Sequence, residues 1–343
     1  MTTVLLLGES EELAAAFRRL GAHVHTAPAD VAGDGEAVRG LVDKHGVDHV
    51  VPLTANVDVA ALEALEAAGT MVAPSAQGCR LTVERDTLRT VATEELGLPT
   101  TAYRFADTRE EFAEAVAEMG FPCIVKPETF GSGHRVLRAP EDAEWHDRRV
   151  MVERFVDFDH DITVLTVRSI DPNTGKLATW FCEPIGHVHR DGRLIESWQP
   201  MALNTAALDN ARSMAARISN ALGGRGICAV EMFVAGDDVY FSGVTPRPHV
   251  SGAVTLATQR FSQYDLHARA VLGLPIDATL VSPGACTMLY GPVNDLAAAL
   301  AVPEADVRLY RDERAMVLVT AETVDSARSR AAQASEAATR SIG

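Results

Sequence analysis

Lys126 ends the apolar run CIVKP, is followed at once by Pro127, and stands ahead of the glycine-containing loop GSG at 131–133. A lysine fixed at a strand end beside a glycine loop is a phosphate-binding arrangement, a point cation next to backbone N–H donors. Glu231 lies in AVEMF with apolar neighbours on both sides. A carboxylate there is costly to bury without a partner, so either a metal ion or an arginine is expected beside it. Arg247, in FSGVTPRPH, is a candidate for that arginine. In the same stretch, Gly243 interrupts a strand pattern, which marks a bulge or a close backbone approach. Each residue also has a plainer reading. A lone strand-end lysine is more often solvated, and an aspartate such as Asp238 in AGDDV is an ordinary turn residue.

The elements that must position these groups are legible as periodic runs. TVLLLG begins as a strand of a parallel sheet buried on both faces and turns at Gly8 into an amphipathic helix ending near Gly21. HVVPLT and MVAPSA repeat the pattern. The turn GESEEL lacks G-x-G-x-x-G, which argues against dinucleotide binding. A helix is predicted from Glu84 to Leu96, and a capped helix begins at Thr108 with Glu111 in the capping position. The β-branched runs RVMVERFV and HDITVLTVRS read as a small strand-rich lid. ATWFCEPIGHVH, ICAVEMFVAGDDVYFSGV and CTMLYG, separated by helices such as 208–222, read as a larger antiparallel sheet, with AGDDV as a hairpin turn. The Ala-rich tail is a helix expected to fray at its end.

The chain has 343 residues, 47% hydrophobic and 23% charged, enough for two or three domains with a sizeable core. Its formal charge of −16 repels nucleic-acid phosphates and anionic membranes, so neither is expected as a partner. The five cysteines are dispersed, with no C-x-x-C, and read as reduced core thiols. The run 4–7 is too short for a signal peptide or a membrane span, so a cytoplasmic location is expected.

ERDTLRTVATEELGLPTTAYRFADTREEF, GFPCIVKP, FDHDITVLTVRS, ESWQPMALN, VEMFVAGDDVYFS and PRPHVSG together resemble the formate-dependent phosphoribosylglycinamide formyltransferases of the ATP-grasp superfamily. The likeness runs in order over nearly the whole chain. It implies an α/β ATP-grasp fold with an N-terminal βα domain (1–90), a linker helix and lid subdomain (91–153), and a C-terminal antiparallel-sheet domain (154–343). It also implies descent from an enzyme that activates formate as an acyl phosphate, with ATP or another adenine nucleotide and Mg2+ as cofactors, a small-molecule substrate and pairing as a homodimer. Residue by residue, it implies nucleotide contacts at Arg85, Lys126, the loop Gly131, Ser132, Gly133, His134, Arg135 and Val136, and the hinge Glu153, Arg154, Phe155 and Val156. Asp161 stands where the family has a ribose-gripping glutamate, one methylene longer. Glu231 is implied as a magnesium ligand, and Arg247 as facing the phosphates.

The chain also departs from that pattern. Gly243 replaces the family's second magnesium-binding glutamate, and His134, Arg135 and Val136 replace the family's lysine, glycine and glutamine in the lid loop. The segment APEDAEWHDRR is shortened. On the acceptor side the first turn is shortened to GESEEL and has lost the family's glycine-flanked glutamate pattern, and PLTANV has no glutamate where the family uses one for the substrate amine. Val250 replaces an aspartate, and RLYRDERAMV lacks the longer basic loop that binds the substrate's phosphate. His187 and His189 in GHVH, Glu196 and His249 lie on elements that face one cleft in the family fold. With Glu231, His187 and His249 form a candidate acid/base set, since histidine titrates near neutrality. Three functions are compatible with this pattern. One is an ATP-grasp enzyme acting on a different small substrate, with Glu231 and a further ligand such as Asp238 holding magnesium. Another is a scaffold repurposed for ATP-independent lyase, dehydratase or hydrolase chemistry on a nucleotide or nucleoside. The last is a non-catalytic nucleotide-binding protein.

Overall fold

The computed structural model describes residues 2–83, 85–128, 134–190, 192–310 and 314–340. Three sheets follow one another along the chain. The first is parallel, with order β2-β1-β3-β4, and is formed by β1 (Thr3–Leu7), β2 (His23–Ala27), β3 (His49–Pro52) and β4 (Met71–Val72). Val4, Leu5, Leu6 and Leu7 are all buried, because helices α1 (Glu11–Arg19), α2 (Gly35–His45) and α3 (Val59–Ala67) leave neither face of β1 to solvent. Gly8 turns out of β1 at φ +123°, and a Cβ there would stand 2.9 Å from that of Leu53, so the position needs glycine on both counts.

The expected helix from Glu84 to Leu96 is divided. Helix α4 (Ala76–Val83), α5 (Arg85–Thr90) and a π-helical turn over 91–95 follow in succession, and Glu84 lies outside the described residues. The second sheet, the lid, is antiparallel in the order β5-β8-β6-β7, with β5 (Tyr103–Ala106), β6 (Cys123–Pro127), β7 (Arg135–Leu137) and β8 (Val150–Arg154). Helix α6 (Arg109–Met119) covers one of its faces, and Thr108 Oγ1 caps it by accepting the Glu111 N–H at 3.2 Å.

The third sheet has nine strands: β9 (His160–Ile170), β10 (Leu177–Phe181), β11 (Ile185–Arg190), β12 (Arg193–Gln199), β13 (Gly226–Ala235), β14 (Asp238–Thr245), β15 (Gly284–Tyr290), β16 (Ala305–Leu309) and β17 (Arg314–Thr320). Its order is β14-β13-β9-β11-β12-β15-β17-β16, with β10 on β9. Strand β9, which the sequence groups with the lid, thus lies inside the large sheet. Its alternation decides this, since Ile162 and Val164 pack with Val230 and Met232 under α7 (Thr205–Leu222), while Leu165 and Val167 pack on the opposite side. That opposite side is covered by α8 (Thr255–Thr258) and α9 (Gln263–Val271), beyond which it opens toward the lid. A short helix α10 (Leu296–Leu300) precedes β16, and α11 (Val324–Thr339) lays Ala327, Ala331 and Ala334 on β15 and β17. Up to Thr339 the Ala-rich tail is therefore a docked helix, because its small side chains at helical spacing let it lie close on the sheet. Residues 341–343 are outside the described range. The cysteines are free and buried, as expected.

Candidate active site

The site is built from the open end of the large sheet and the facing side of the lid. In the antiparallel register Glu231 is opposite Thr163 on one side and Gly243 on the other, and Asp161 is opposite Phe233. Directly opposed residues share a face, so Asp161, Thr163, Glu231 and Gly243 line one surface. The register slips between Glu231 and Met232, with Ser242 as the extra residue of β14. Gly243 thus sits beside a β-bulge, the feature that a glycine within a strand signals.

Strand β11 adds two histidines. His189 Nδ1 lies 2.7 Å from Asp161 Oδ2, and His187 Nε2 lies 2.8 Å from Thr163 Oγ1. Burial pushes the His187 imidazole down to about 3, helped by His189 and His249 and opposed by Glu231. His187 Nδ1 is buried with no partner among the described residues. Burial also works against protonation of His189, but the Asp161 hydrogen bond and the Asp161 and Glu231 charges prevail and raise its pKa. Two imidazoles with ring centres 5.8 Å apart are thus held in opposite protonation tendencies by their neighbours.

His249 comes from the Pro-locked loop after β14. Its backbone N–H donates to Gln263 Oε1 at 3.1 Å and its carbonyl accepts from Gln263 Nε2 at 2.7 Å. Gln263 fits because residue 252 is glycine, whose Cβ would stand 2.4 Å from Gln263 Oε1. So held, His249 Nδ1 is 2.9 Å from Ser251 Oγ and 3.8 Å from Glu231 Oε1. Burial lowers its pKa, against the pull of Glu231.

The lid and the adjoining helix α5 contribute the cations. Lys126 is buried and paired with Glu153, which also accepts from Arg89 Nη2 at 2.5 Å and from Thr101 Oγ1 at 3.3 Å. Burial lowers the Lys126 pKa, whereas the Glu153 carboxyl, despite its burial, is held below the ordinary range by Lys126 and Arg89. Arg85 Nε donates to the Pro127 carbonyl at 2.8 Å, and its side chain feels both Glu153 and Glu231. His134 approaches Gly192 at the β11–β12 turn, with its pKa lowered by burial and by Lys126.

Arg85, Lys126, His134, Glu153, Asp161, His187, Glu231 and His249 are therefore brought together. Gly131, Ser132 and Gly133 lie outside the described residues. Arg154, Phe155 and Val156 are exposed where the lid joins the large sheet. Val136 is opposite Ile124, on the Lys126 side of the lid sheet. Arg135 is not brought to this side. It pairs with Val125, on the α6 face, and its guanidinium donates to the Glu144 carbonyl at 2.8 Å. Arg247 makes no ion pair with Glu231 among the described residues; burial lowers its pKa, and its titratable neighbours include Cys79 and His249, whose protonation its charge disfavours. Glu196 points to the other face of the sheet, where both its oxygens accept from Arg328 of α11 at 2.8 Å. Asp238 pairs with Ala235, four residues along β13 from Glu231 and therefore roughly 13 Å away at strand spacing, which removes it as a shared metal ligand. Arg89 and Thr101 are additions. The available signal for Arg89 was its i, i+4 spacing from Arg85 on one helix face.

No group of three or more His, Cys, Asp or Glu suited to a metal is present among the described residues. Glu231, one-third exposed and paired with no lysine or arginine among them, suits an ion held by one carboxylate together with ligand phosphates. The donor set thus fits magnesium carried in by a nucleotide rather than a protein cage.

A cleft between a small antiparallel lid sheet and a large antiparallel sheet, cationic on the lid side and carboxylate-bearing on the other, places the protein in the ATP-grasp class, and the ATP-grasp domain family matches residues 91–264. A formate-dependent phosphoribosylglycinamide formyltransferase of Corynebacterium glutamicum is 47% identical over 382 aligned positions, covering 98% of this chain and 94% of the relative. A solved structure described as glycinamide-RNase-transformylase T from Mycobacterium tuberculosis superposes with a TM-score of 0.86 at 38% identity, covering 98% of this chain and all of that one. A carboxyaminoimidazole ribonucleotide synthase from Aspergillus clavatus, solved with ATP, shares the fold at a TM-score of 0.86 and 24% identity, with 98% of each chain covered. The chain belongs to the formate-dependent phosphoribosylglycinamide formyltransferase family and is an ATP-grasp enzyme. Its 343 residues fall short of the 382 aligned positions, so the relative carries stretches that this chain lacks. No helix among the described residues is long and apolar enough to cross a membrane.

Proposed function

We propose that the protein uses ATP to activate a carboxylate as an acyl phosphate and passes the acyl group to an acceptor other than phosphoribosylglycinamide. The observation that carries this reading is the convergence of Arg85, from α5, and Lys126, from the lid, on Glu153, with Arg85 also within electrostatic range of Glu231 on the large sheet. Phosphoryl transfer depends on positioning and on charge stabilisation of this kind. In the first step a carboxylate oxygen of the substrate bonds to the terminal phosphorus of ATP and ADP departs. In the second the acceptor nucleophile bonds to the acyl carbon, and phosphate leaves with the electron pair of the broken C–O bond. Lys126 and Arg85 hold the phosphates, and Arg247, with no ion pair among the described residues, is available to the same anions. The exposed Phe155 and Val156 meet the base, and Asp161 with His189 meets the ribose. His249 beside Glu231 takes the acceptor's proton. Magnesium, when bound through Glu231 and the phosphates, neutralises charge on the phosphoryl oxygens.

The change of acceptor is supported by the acidic positions that the family resemblance leads one to expect. Val250 and the segment containing Thr54 and Asn56 carry no carboxylate there, and Glu12 at the start of α1 accepts a hydrogen bond from Tyr310 at 2.7 Å. The same reading takes 1–90, 91–153 and 154–343 as the functional units of a cytoplasmic homodimer, which light scattering checks. The decisive assay follows ADP release with formate, ATP and magnesium, with hydroxylamine as a trap for the acyl phosphate, and then adds phosphoribosylglycinamide. Trapped hydroxamate without formylated glycinamide ribonucleotide is expected. Formylation at rates ordinary for the family overturns the altered acceptor, and absence of any carboxylate-dependent ADP release across a panel of small carboxylates overturns the activation step.

A further inference from the structure

Where α5 packs on the lid, two buried cations share one buried carboxylate. Arg89 is 3% exposed and Glu153 2%, while Lys126, on the cleft side, is 8% exposed. A carboxylate so deep is strongly destabilised if its cation leaves. A lysine acting as its only partner would therefore be held in place and unavailable to a ligand. Arg89 alters that balance because its position does not depend on Lys126. Its guanidinium donates to the carbonyls of Phe241 at 3.4 Å and Ser242 at 3.3 Å, and lies 5.2 Å from the centre of the Tyr103 ring. Thr101 supplies a further hydrogen bond to the same carboxylate oxygen that Arg89 holds.

We infer that Arg89 is a positioning residue that keeps Glu153 satisfied, so that Lys126 is free to turn from Glu153 to the phosphates of an incoming ligand. The two carboxylate oxygens divide the work. Oε1 stays with Arg89 and Thr101, and Oε2 is the one that Lys126 releases. Because Ser242 is the bulged residue of β14, the same guanidinium also ties the lid to the strand that carries Gly243 opposite Glu231. The inference rests on the nucleotide reading of the cleft proposed above.

The test is calorimetric titration of a non-hydrolysable ATP analogue and of adenosine into wild type, Lys126→Ala, Arg89→Lys, Arg89→Met and the double variant Arg89→Met/Glu153→Gln, with thermal melts confirming that each is folded. A hydrogen bond to a charged group corresponds to roughly ten- to a hundredfold in affinity. Lys126→Ala is expected to weaken the phosphorylated ligand by about that factor and adenosine by less than about twofold. Arg89→Met should reproduce the phosphate-selective loss although Lys126 is still present, Arg89→Lys should restore most of it, and the double variant should also recover it by removing the carboxylate that retains Lys126. Equal losses for both ligands in Arg89→Met, or no recovery in the double variant, overturn the inference while leaving the role of Lys126 intact. Absence of a phosphate-selective loss in Lys126→Ala overturns the cleft reading, and the inference with it. If Arg89→Met does not fold, the double variant and Arg89→Lys decide by the same comparison.

Discussion

Gly243→Glu places a second carboxylate directly across from Glu231. Opposed residues of an antiparallel pair have Cα atoms about 4.5–5.5 Å apart, with both side chains on one face. Two carboxylates about 5 Å apart repel by roughly 3 kcal/mol at an effective dielectric of about 20. The Glu231 side chain is 33% exposed, so solvent reduces this to about 1–2 kcal/mol. In a chelator the variant should therefore melt about 1.5–3 °C below wild type at neutral pH. The sign with pH follows from the repulsion, which raises the folded pKa of the pair. The penalty is full above that raised value and disappears as pH falls below the ordinary carboxylate pKa of about 4.3. A divalent cation reverses the effect, because paired carboxylates that repel each other stabilise it. Titration of a non-hydrolysable ATP analogue into both proteins, each with magnesium and with chelator, reads the consequence. The ratio of affinities with and without magnesium should be about tenfold larger in the variant, equivalent to about 1.4 kcal/mol. If magnesium strengthens binding to wild type by the same factor as to Gly243→Glu, the glycine is not a vacated metal position and the reasoning is refuted.

The remaining predictions concern the histidines. His187 and His267 are buried, and burial pushes each down to about 3, well below the unfolded value of about 6.5. Their neutral forms support the fold fully above about pH 6.5, and that support is lost as pH falls toward 3, by at most about 2 kcal/mol each at pH 5. Urea melts at pH 7 and pH 5 should show the loss, and His267→Gln should show about half of it; equal stability at both pH values contradicts the assignment. His189 acts in the opposite sense, its stabilisation being present below about 6.5 and lost as pH rises through its raised value. Asp161→Asn should accordingly lower the His189 titration midpoint seen by NMR, and an unchanged midpoint removes Asp161 as its cause.

The local signals in the sequence carried far because they act over a few residues. The apolar run of β1, the Thr108 cap and the Gly236–Asp237 turn depend on neighbours close in the chain, and each is present in the structure. The bulge beside Gly243 was similarly announced by a glycine where a strand wants a side chain. Lys126, Glu231 and His249 could be picked out as chemically capable from type and context. Their partners could not, since these come from distant segments. Glu153 meets Arg89 across 64 residues, and Glu196 is claimed by Arg328 across 132, leaving a residue that looked like part of the cleft on the far face of the sheet. The family resemblance implies Arg135 as a nucleotide contact in the lid loop, but strand register turns it toward α6, because alternation along a strand sends neighbouring side chains to opposite faces. Residue type and short-range pattern determined which groups are able to bind and react. Sheet register and long-range ion pairing, which depend on the whole chain closing around one core, decided which of those groups face one another.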